Sequence, residues 1–577
     1  MGLMPLRHIV LTTAIVLVPE LALGAPVLRL TNSVLGPINI VPGAAGTAQE
    51  VEAYNAGDGQ LSLTFSSSAN WAVASANAPR PCSTRAGNCI PIRIALQTQP
   101  LAAGIYTGRV TVRDPNAVDA PQEILVTVQM GGGIPNSVSF FVAPGGAPDE
   151  QIFSTNSTLT NSVVTQSGGG WLSVVFDGLG SFRFVLPYRI VAQHLPGLAE
   201  GTYTGSITTR SANFAPDNKT IQASLRVSSQ PIVVAAPQTV LARVAQNSLA
   251  VTQYVVLSNR GLGTLSITGV TGTTASGGGW LTTERVAGTN LISVKTDAGS
   301  LAPGSYQGTV SVATNAVNSP TTVPVTMEVV AQSGPVTGYQ RVVNNATFAS
   351  GEPLAPGGIS AIFGEQLSYK EPAQASSLPL PVELGGARVF VNDRPAPVFY
   401  SSYGQINFQL PYDLSPGLNT VRVDRDGQRG NNVSVDIASG SPRFLRLRGD
   451  FAIAVNPDGT FAVPARLGIP GSRPARVGEA LVIYMIGLGP TSPPVVAGAA
   501  SPADPLAYVA SNSSRVLFGA SALGGILQDT LFAGLTPGFV GLYQVNVVVP
   551  PNAPTGEVGI RLLLDTSSSD TALIAVE

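Results

Sequence analysis

A strand-like segment that occurs twice is the strongest constraint on how this chain folds. The segment reads Gly-Gln-Ile-Asn-Phe-Gln-Leu-Pro at 404–411 and Tyr-Gln-Val-Asn-Val-Val-Val-Pro at 543–550, 139 residues later. Both copies alternate apolar and polar residues and end at a proline that precedes a glycine turn, which is typical of a half-buried β-strand. The recurrence predicts that roughly the last 240 residues form a duplicated β-module.

A second motif, Leu-Ala-x-Gly-x-Tyr-x-Gly, occurs three times in the preceding part of the chain. Its copies begin at Leu101, Leu198 and Leu301, so their tyrosines lie 97 and 103 residues apart. This spacing is the size of one β-sandwich domain, and each copy opens an alternating strand after a glycine turn. We predict three consecutive sandwiches, in which each tyrosine packs at the sandwich edge and hydrogen-bonds back to the chain as in a tyrosine corner.

The three tryptophans occupy one position of these repeats, and the last two of them follow three glycines. Two interpretations are open. A sandwich core commonly holds one tryptophan, whereas an indole beside a glycine-rich approach would be able to stack on a sugar ring. We favour the core, because a repeated large apolar residue is more often a core marker. The candidate ligand-binding residues under the second interpretation are Trp171, Trp280, Tyr203 and Tyr306.

The Gly-Gly-Trp-Leu and Leu-Ala-x-Gly-x-Tyr-x-Gly elements resemble those of the BACON domain, a bacterial extracellular immunoglobulin-like β-sandwich. The second and third repeats carry the resemblance, since the first repeat, around Trp71, lacks the glycines and the leucine. BACON domains accompany glycan-active enzymes and surface proteins, and glycan or mucin binding has been suggested for them. The resemblance therefore implies an extracellular class of protein without fixing a ligand.

The stretch 339–577 resembles the C-terminal module of large sets of uncharacterised secreted proteins from soil bacteria, often called the Solibacter-type C-terminal domain. Its landmarks follow in order: Val343–Phe348, Leu354–Gly357, Ile362–Gly364, Leu384–Ala387, Pro395–Val398, Gly404–Asn407, Gly487–Pro490 and Pro537–Asn546. That family has no assigned activity, so the resemblance implies secretion and no chemistry. Matching apolar strands at 357–364 and 478–487 indicate that each half of the module is an immunoglobulin-like sandwich.

Composition agrees with an all-β chain of several domains. Charged residues make up only 11% of the sequence, and 63 glycines and 46 prolines supply many turns. The hydrophobic fraction of 44% is enough to build cores. We predict tandem immunoglobulin-like β-sandwiches with these boundaries: a signal peptide at 1–24, BACON-like repeats at 25–131, 134–229 and 230–331, a linker at 332–338, and two C-terminal sandwich halves at 339–440 and 441–577.

The first 24 residues have the parts of a secretory signal. Arg7 and His8 form a short positive region, residues 9–18 form an apolar run, and small residues end at Gly24. A membrane anchor is the alternative, but the run is too short and Pro19 interrupts it. We expect cleavage after Gly24, an extracytoplasmic protein, and no membrane span in the mature chain.

Only two cysteines occur, Cys82 and Cys89. In an oxidising compartment so close a pair is most simply a disulfide. A redox or metal-binding pair would need a thiol of low pKa or further ligands, and the sequence shows neither. We predict the disulfide.

Residues suited to catalysis or metal binding are scarce. His194 is the one histidine outside the predicted signal, no Gly-x-Ser-x-Gly elbow is present, and a zinc site lacks ligands. We therefore interpret His194 as a turn residue. Paired carboxylates of the glycosidase kind are the remaining option, with Glu352, Glu365 and Glu371 as candidates. We assign no catalytic residue, no metal site and no cofactor.

Two further functions are disfavoured by sequence pattern. The segment Asp424–Gly427 is similar to the start of a calcium loop, but the later ligands are missing, so we predict a hairpin turn. The net charge is −2 and no basic stripe is present, so nucleic-acid binding has no electrostatic support.

These features predict a secreted, non-catalytic, multi-domain β-sandwich protein that acts in extracellular binding or adhesion. Its expected partner is an extracellular polysaccharide or a cell-surface component, with carbohydrate as the candidate ligand. The alternatives are a structural spacer in a surface or matrix assembly and, less favoured, a glycan-active enzyme with an unrecognised carboxylate site. A deep pocket with two close carboxylates would favour the enzyme.

Overall fold

The computed structural model describes residues 24–577 except 156, 179–185 and 522–523, so nearly all of the predicted signal peptide lies outside the described residues. Within them the chain forms 45 β-strands and two short 3-10 turns, at Ala215–Asp217 and Ala465–Leu467, and no α-helix. None of these described elements is a helix long and apolar enough to cross a membrane. The predicted all-β fold of tandem sandwiches is confirmed, because short alternating runs each bury one face.

Domain 1 is a sandwich of two sheets formed by residues 28–130. The first sheet has the order β1 (Leu28–Leu30), β3 (Gly46–Asn55), β7 (Asn88–Leu96) and β5 (Ala72–Ala76), with β6 (Arg80–Pro81) also on β7. The second has the order β2 (Val34–Ile40), β9 (Gln122–Met130), β8 (Gly104–Arg113) and β4 (Thr64–Ser67).

Domain 2 repeats this plan over residues 137–227. One sheet has the order β10 (Ser137–Val142), β16 (Lys219–Val227), β15 (Gly201–Ser211) and β12 (Leu159–Thr165). The other has the order β11 (Asp149–Thr155), β14 (Leu186–Ala192) and β13 (Leu172–Phe176).

Domain 3 has the same plan over residues 233–330. One sheet has the order β17 (Val233–Ala236), β19 (Val251–Asn259), β22 (Leu291–Thr296) and β21 (Leu281–Arg285). The other has the order β18 (Val240–Ala245), β24 (Thr321–Val330), β23 (Gly304–Thr314) and β20 (Ile267–Thr274). In all three domains an early strand pairs parallel with the last strand, as β2 with β9, β10 with β16 and β18 with β24. The shared parallel pair shows that the three sequence repeats are three copies of one topology.

Domain 4 is a two-sheet sandwich of residues 336–437. The first sheet has the order β25 (Val336–Asn344), β26 (Ile359–Glu365), β31 (Gln405–Gln409), β30 (Val398–Ser401) and β27 (Ala373–Gln374). The second has the order β29 (Arg394–Ala396), β28 (Ala387–Val391), β32 (Gly417–Arg425) and β33 (Gln428–Ile437). Strand β25 begins inside the stretch 332–338 that the sequence assigns to a linker, because Val336 already pairs with Glu365.

Domain 5, residues 443–576, joins its layers in one hydrogen-bonded path. The order is β34 (Arg443–Phe444), β38 (Ala480–Ile486), β43 (Tyr543–Val548), β42 (Gly524–Leu535), β41 (Ser514–Ser521), β44 (Gly556–Leu564), β45 (Ala572–Val576), β36 (Phe451–Ala452) and β35 (Arg446–Arg448). Beside this path lie β37 (Ala454–Val455), β39 (Thr491–Ser492) and β40 (Tyr508–Val509). Strand β42 pairs with β41 in its first half and with β43 in its second, so one strand belongs to both layers.

The repeated segment occupies the same place in domains 4 and 5. In domain 4, Ile406 of β31 lies opposite Ile362 of β26. In domain 5, Val545 of β43 lies opposite Ile483 of β38. All four side chains are buried in the cores of their domains. The alternation therefore buries the same face of the repeated strand twice, as a duplication requires.

Domains 4 and 5 are packed together. The Gln409 side chain donates to the Gly357 carbonyl in its own domain at 3.0 Å and accepts from the Gly498 amide of domain 5 at 2.6 Å. The Leu380 amide donates to the Gly498 carbonyl at 2.8 Å. A buried glutamine that bonds both domains ties the two halves of the module into one unit.

Candidate functional site

The structure places Trp171 and Trp280 in the cores of domains 2 and 3. Their exposed fractions are 0% and 3%, and each indole N–H donates to a backbone carbonyl, that of Ser167 or Ser276, at 2.9 Å. A sugar ring stacks on an exposed aromatic face, and these indoles have none. Their assignment as ligand-binding residues is therefore wrong, and the core interpretation agrees with the structure.

Tyr203 and Tyr306 are half-buried at the sandwich edges. Each hydroxyl donates to the carbonyl four residues upstream, of Ala199 at 2.8 Å and of Ala302 at 2.9 Å. This is the edge position and backward hydrogen bond expected of a tyrosine corner. Both rings hold the loop before the tryptophan, and their assignment to a ligand site stays a prediction.

The tyrosine ring explains the first glycine of the Gly-Gly-Gly-Trp motif. At Gly277 φ is +79°, and a β-carbon there would lie 2.6 Å from the Tyr306 ring. The same clash, at 2.5 Å from Tyr203, occurs at Gly168. Only glycine allows this backbone conformation and this close approach together, so the first glycine of each motif serves packing against the tyrosine ring.

The remaining residues singled out from sequence have structural roles. Cys82 and Cys89 form a disulfide with an S–S distance of 2.02 Å, as predicted. His194 accepts from the Gly145 amide at 3.2 Å and donates to the Leu198 carbonyl at 2.9 Å, which holds a turn. Asp426 and Gly427, both at positive φ, form the two-residue turn between β32 and β33, so the predicted hairpin is confirmed.

One of the three candidate carboxylates reaches a cavity. Glu352 bonds the Arg443 guanidinium at 3.1 Å between domains 4 and 5, and Glu371 is exposed. Glu365, at the end of β26, lines a cleft of 1040 Å³ between domains 1, 3 and 4, which we call the junction cleft. Domain 1 lines it with β4, β8 and β9, domain 3 with β18, the start of β23 and the end of β24, and domain 4 with β25 and β26.

A single guanidinium joins the three domains in the junction cleft. Arg243 of domain 3 donates from Nη1 to Glu123 of domain 1 at 2.7 Å and to Glu365 of domain 4 at 2.8 Å. Its Nε lies 3.3 Å from Glu328. Arg109 of domain 1 adds a second bond to Glu123 at 2.7 Å. Because Arg243 is only 16% exposed, these pairs are shielded from solvent more than ordinary surface pairs.

The surroundings shift the pKa values of two of these carboxyl groups in opposite directions. Burial raises the pKa of Glu365, and Arg243 only partly offsets it. Burial also acts to raise the pKa of Glu123, but the Arg243 and Arg109 guanidiniums outweigh burial, so the pKa of Glu123 is lowered. Such divergence suits an acid and base pair. Here, however, both carboxylates accept from the same nitrogen of Arg243, which occupies the space that a glycosidic oxygen or a water needs between them.

A bulge in domain 4 shapes the opposite wall of the junction cleft. In the pairing of β25 with β26, Thr337 lies opposite Gly364 and Val342 opposite Ile362, so residues 338–341 all face Phe363. Within the bulge Gln340 has φ of +54°, a left-handed conformation that is uncommon for a residue other than glycine. The bulge places Tyr339 and Arg341 in the cleft lining, since a bulge re-aims the side chains of its strand.

Arg243, Glu123 and Glu328 carry the junction but were not predicted as site residues. Each is the lone charge in an otherwise uncharged strand. In a chain with so few charges that pattern is a usable signal, because a charge on a strand that is largely buried needs a partner from elsewhere. The sequence does not indicate which partner it meets.

Comparisons with known proteins give similarity in fold class alone. No protein-family model matches the chain, and no curated protein matches it. Among solved structures, an endo-fucoidan hydrolase of glycoside hydrolase family 107 matches at 14% identity with a TM-score of 0.17, over 53% of this chain and 45% of that chain. The chain thus spans less than half the length of that hydrolase.

Two further matches are an ectodomain and a fragment of a larger chain. The human desmocollin-1 ectodomain matches at 11% identity with a TM-score of 0.15, over 94% of this chain and 98% of that chain. A titin I-band fragment, I67–I69, matches at 10% identity with a TM-score of 0.14, over 54% and 99%. Similarity this low carries no argument about function, and the resemblance to BACON and Solibacter-type domains stays a prediction.

Proposed function

We propose that this protein is a secreted, non-catalytic binding or adhesion protein and that its junction cleft holds a carbohydrate. The observation that carries the proposal is the cleft itself, a space of 1040 Å³ between three domains that are joined by ion pairs. Ligand clefts commonly have volumes of roughly 300–1,000 Å³. A cleft of this size has room for more than a single small molecule.

The cleft lining has the side chains that suit a sugar. Ser66, Ser67, Ser68 and Asn70 of domain 1 are exposed in it, and their hydroxyl and amide groups both donate and accept hydrogen bonds, as sugar hydroxyls do. On the domain 4 side, half-buried aromatic rings line the cleft. Apolar ring faces complement the C–H faces of a sugar ring.

Interlocked domains favour binding through preorganisation. A cleft between freely moving domains would have to be ordered each time a ligand binds, which lowers affinity. Here Arg243 bonds domains 1 and 4 at once, and the Ala245 amide of domain 3 donates to the Tyr403 hydroxyl of domain 4 at 2.9 Å. The same contacts argue against an extended spacer made of separate domains.

Two other considerations support the proposal over hydrolysis. The Arg243 guanidinium lies between the candidate acid and base, Glu365 and Glu123, so the pair is arranged for ion pairing. The BACON-like repeats and the Solibacter-type module would place the protein among secreted bacterial proteins, in the first case those associated with glycans. That context supports an extracytoplasmic location and a polysaccharide or a cell-surface component as partner.

The test is a polysaccharide and glycan binding screen of the chain from residue 25 to 577, repeated with Asn70→Ala. Asn161→Ala is the matched control, because Asn161 is also an exposed asparagine but lies in domain 2, away from the cleft. We expect binding that Asn70→Ala weakens and Asn161→Ala leaves unchanged. If both variants bind equally well, the cleft is not the binding site. If the unchanged protein binds no glycan, the ligand is not a carbohydrate.

A further inference from the structure

The charges that line the junction cleft do not balance within it. Four arginines and three glutamates line the cleft, with no lysine or aspartate. All three glutamates, Glu123, Glu328 and Glu365, lie within 4.0 Å of Arg243 or Arg109 and are compensated there. The two remaining arginines are left without an acidic partner.

These two arginines are Arg113 and Arg341. Both are exposed in the cleft lining, and among the described residues no carboxylate forms an ion pair with either. Most other arginines in the described part of the chain form ion pairs, whereas these two share one cleft without forming any. A cleft lined by uncompensated charge of one sign attracts ligands of the opposite sign.

The two guanidiniums come from different walls. Arg113 ends β8 in domain 1, and Arg341 lies in the bulge of domain 4. A polymer that carries acidic groups at intervals is able to pair with both walls of the cleft at once.

We infer that the junction cleft binds an acidic polysaccharide, whose carboxylate or sulfate groups pair with Arg113 and Arg341. This inference rests on the proposed function and names the class of its ligand. A guanidinium offers parallel N–H donors that match the two oxygens of a carboxylate or a sulfate. The serine and amide groups of domain 1 and the ring of Tyr339 then contact the uncharged part of each sugar.

A nucleic acid also carries repeated anionic groups but fits the chain less well. Proteins that bind nucleic acids through the backbone carry an excess of basic residues, whereas this chain has 31 basic and 33 acidic residues. The hydroxyl and amide groups that line the cleft suit a polymer whose units are rich in hydroxyl groups, as polysaccharides are and DNA is not.

The test measures binding of the chain from residue 25 to 577 to four polymers by affinity electrophoresis or calorimetry. Polygalacturonate supplies carboxylates, dextran sulfate supplies sulfates, dextran is neutral, and single-stranded DNA supplies phosphates. The variants are Arg113→Gln, Arg341→Gln and both together. The control is Arg210→Gln, since Arg210 is an exposed strand arginine of domain 2 that lies outside the cleft and forms no ion pair with any described residue.

We expect tighter binding of polygalacturonate, of dextran sulfate or of both than of dextran, weakened by salt. Each single variant should lose about three- to tenfold in affinity and the double variant more, while Arg210→Gln retains it. Circular dichroism of each variant checks that the fold persists. The acidic polymer that binds more tightly identifies the recognised group, a carboxylate for polygalacturonate or a sulfate for dextran sulfate.

Other outcomes overturn the inference in distinguishable ways. Preferential binding of neutral dextran that the double variant leaves unchanged would refute the acidic ligand and leave the proposed carbohydrate function standing. Equal losses in Arg210→Gln would show binding that depends only on total charge. DNA bound as tightly as the acidic polysaccharides would refute the ligand class, and no polysaccharide bound by the unchanged protein would refute the proposed function itself.

Discussion

Asp119 in domain 1 accepts two hydrogen bonds from Ser434 in domain 4, 315 residues later in the chain. The Ser434 amide and hydroxyl donate to the two carboxylate oxygens, each at 2.6 Å. The Asp119 amide donates to the Asn432 carbonyl at 2.9 Å, and Arg29 forms an ion pair with the same carboxylate. Since the Asp119 side chain is fully buried, this contact docks domain 1 on domain 4 and holds two walls of the junction cleft together.

Asp119→Asn should weaken this docking. Asparagine tolerates the positive φ of 62° at this position but lacks the charge that pairs with Arg29 and one of the two acceptor oxygens. We expect the contact to lose about 1.5–3 kcal/mol, the range for hydrogen bonds to a charged group, and small-angle X-ray scattering to show a larger radius of gyration. Asp529→Ala, at an exposed aspartate of domain 5, is the control. An unchanged scattering profile for Asp119→Asn would contradict the docking role.

Trp280→Ala should destabilise domain 3 by about 3–5 kcal/mol, because it leaves a large cavity in a packed core. Tyr254→Ala is the matched control, since Tyr254 is an aromatic residue of the same domain that is 55% exposed. The Tyr254→Ala substitution should change the free energy of unfolding by no more than about 0.5 kcal/mol. Urea unfolding followed by circular dichroism measures both. A Trp280→Ala protein of unchanged stability would show that the indole is not a core residue.

Removal of the disulfide with Cys82→Ser and Cys89→Ser together should destabilise domain 1. In the chain-entropy model, so short a loop contributes about 2.5 kcal/mol. Reduction of the unchanged protein should cause the same loss, and the double variant should then be insensitive to reductant. Non-reducing peptide mapping should link the two cysteines, and two free thiols in protein from outside the cell would refute the bridge.

Glu365→Gln should change how stability depends on pH. The folded protein raises the pKa of Glu365 above its ordinary value of 4.5, so ionisation of this group disfavours folding. The unchanged protein should therefore be less stable than Glu365→Gln at neutral pH, and the difference should shrink as the pH falls through the raised pKa towards 4.5. Urea unfolding at several pH values measures it.

Glu123→Gln provides the control with the opposite sign. The pKa of Glu123 is lowered below 4.5 in the folded protein, so its ionised form stabilises the fold at neutral pH, and this stabilisation is lost below 4.5 as the pH falls through the lowered pKa. The glutamine variant should be less stable than the unchanged protein at neutral pH. If both variants shift stability in the same direction, the opposed pKa shifts are not present in solution.

The site was predictable only in fragments. Glu365 was among the candidate carboxylates, but the sequence offered no reason to prefer it over Glu352 or Glu371. Glu352 forms a pair between domains, and Glu371 is exposed. The tryptophans drew attention because they repeat, yet repetition marks a position without showing which way a side chain faces. Whether an indole lies inside or outside depends on how two sheets close over it.

The sequence by itself determined the all-β class, the three repeats, the duplicated strand, the tyrosine corners and the disulfide. Each of these depends on local pattern, on alternation, on turn residues or on a short spacing, which a single strand or loop already contains. Only the tertiary structure decided that domain 1 folds back on domain 4 and that Arg243 meets glutamates from three domains. These contacts between domains join residues 120 to 315 positions apart. They depend on how rigid domains dock, and docking leaves no periodic pattern along the chain.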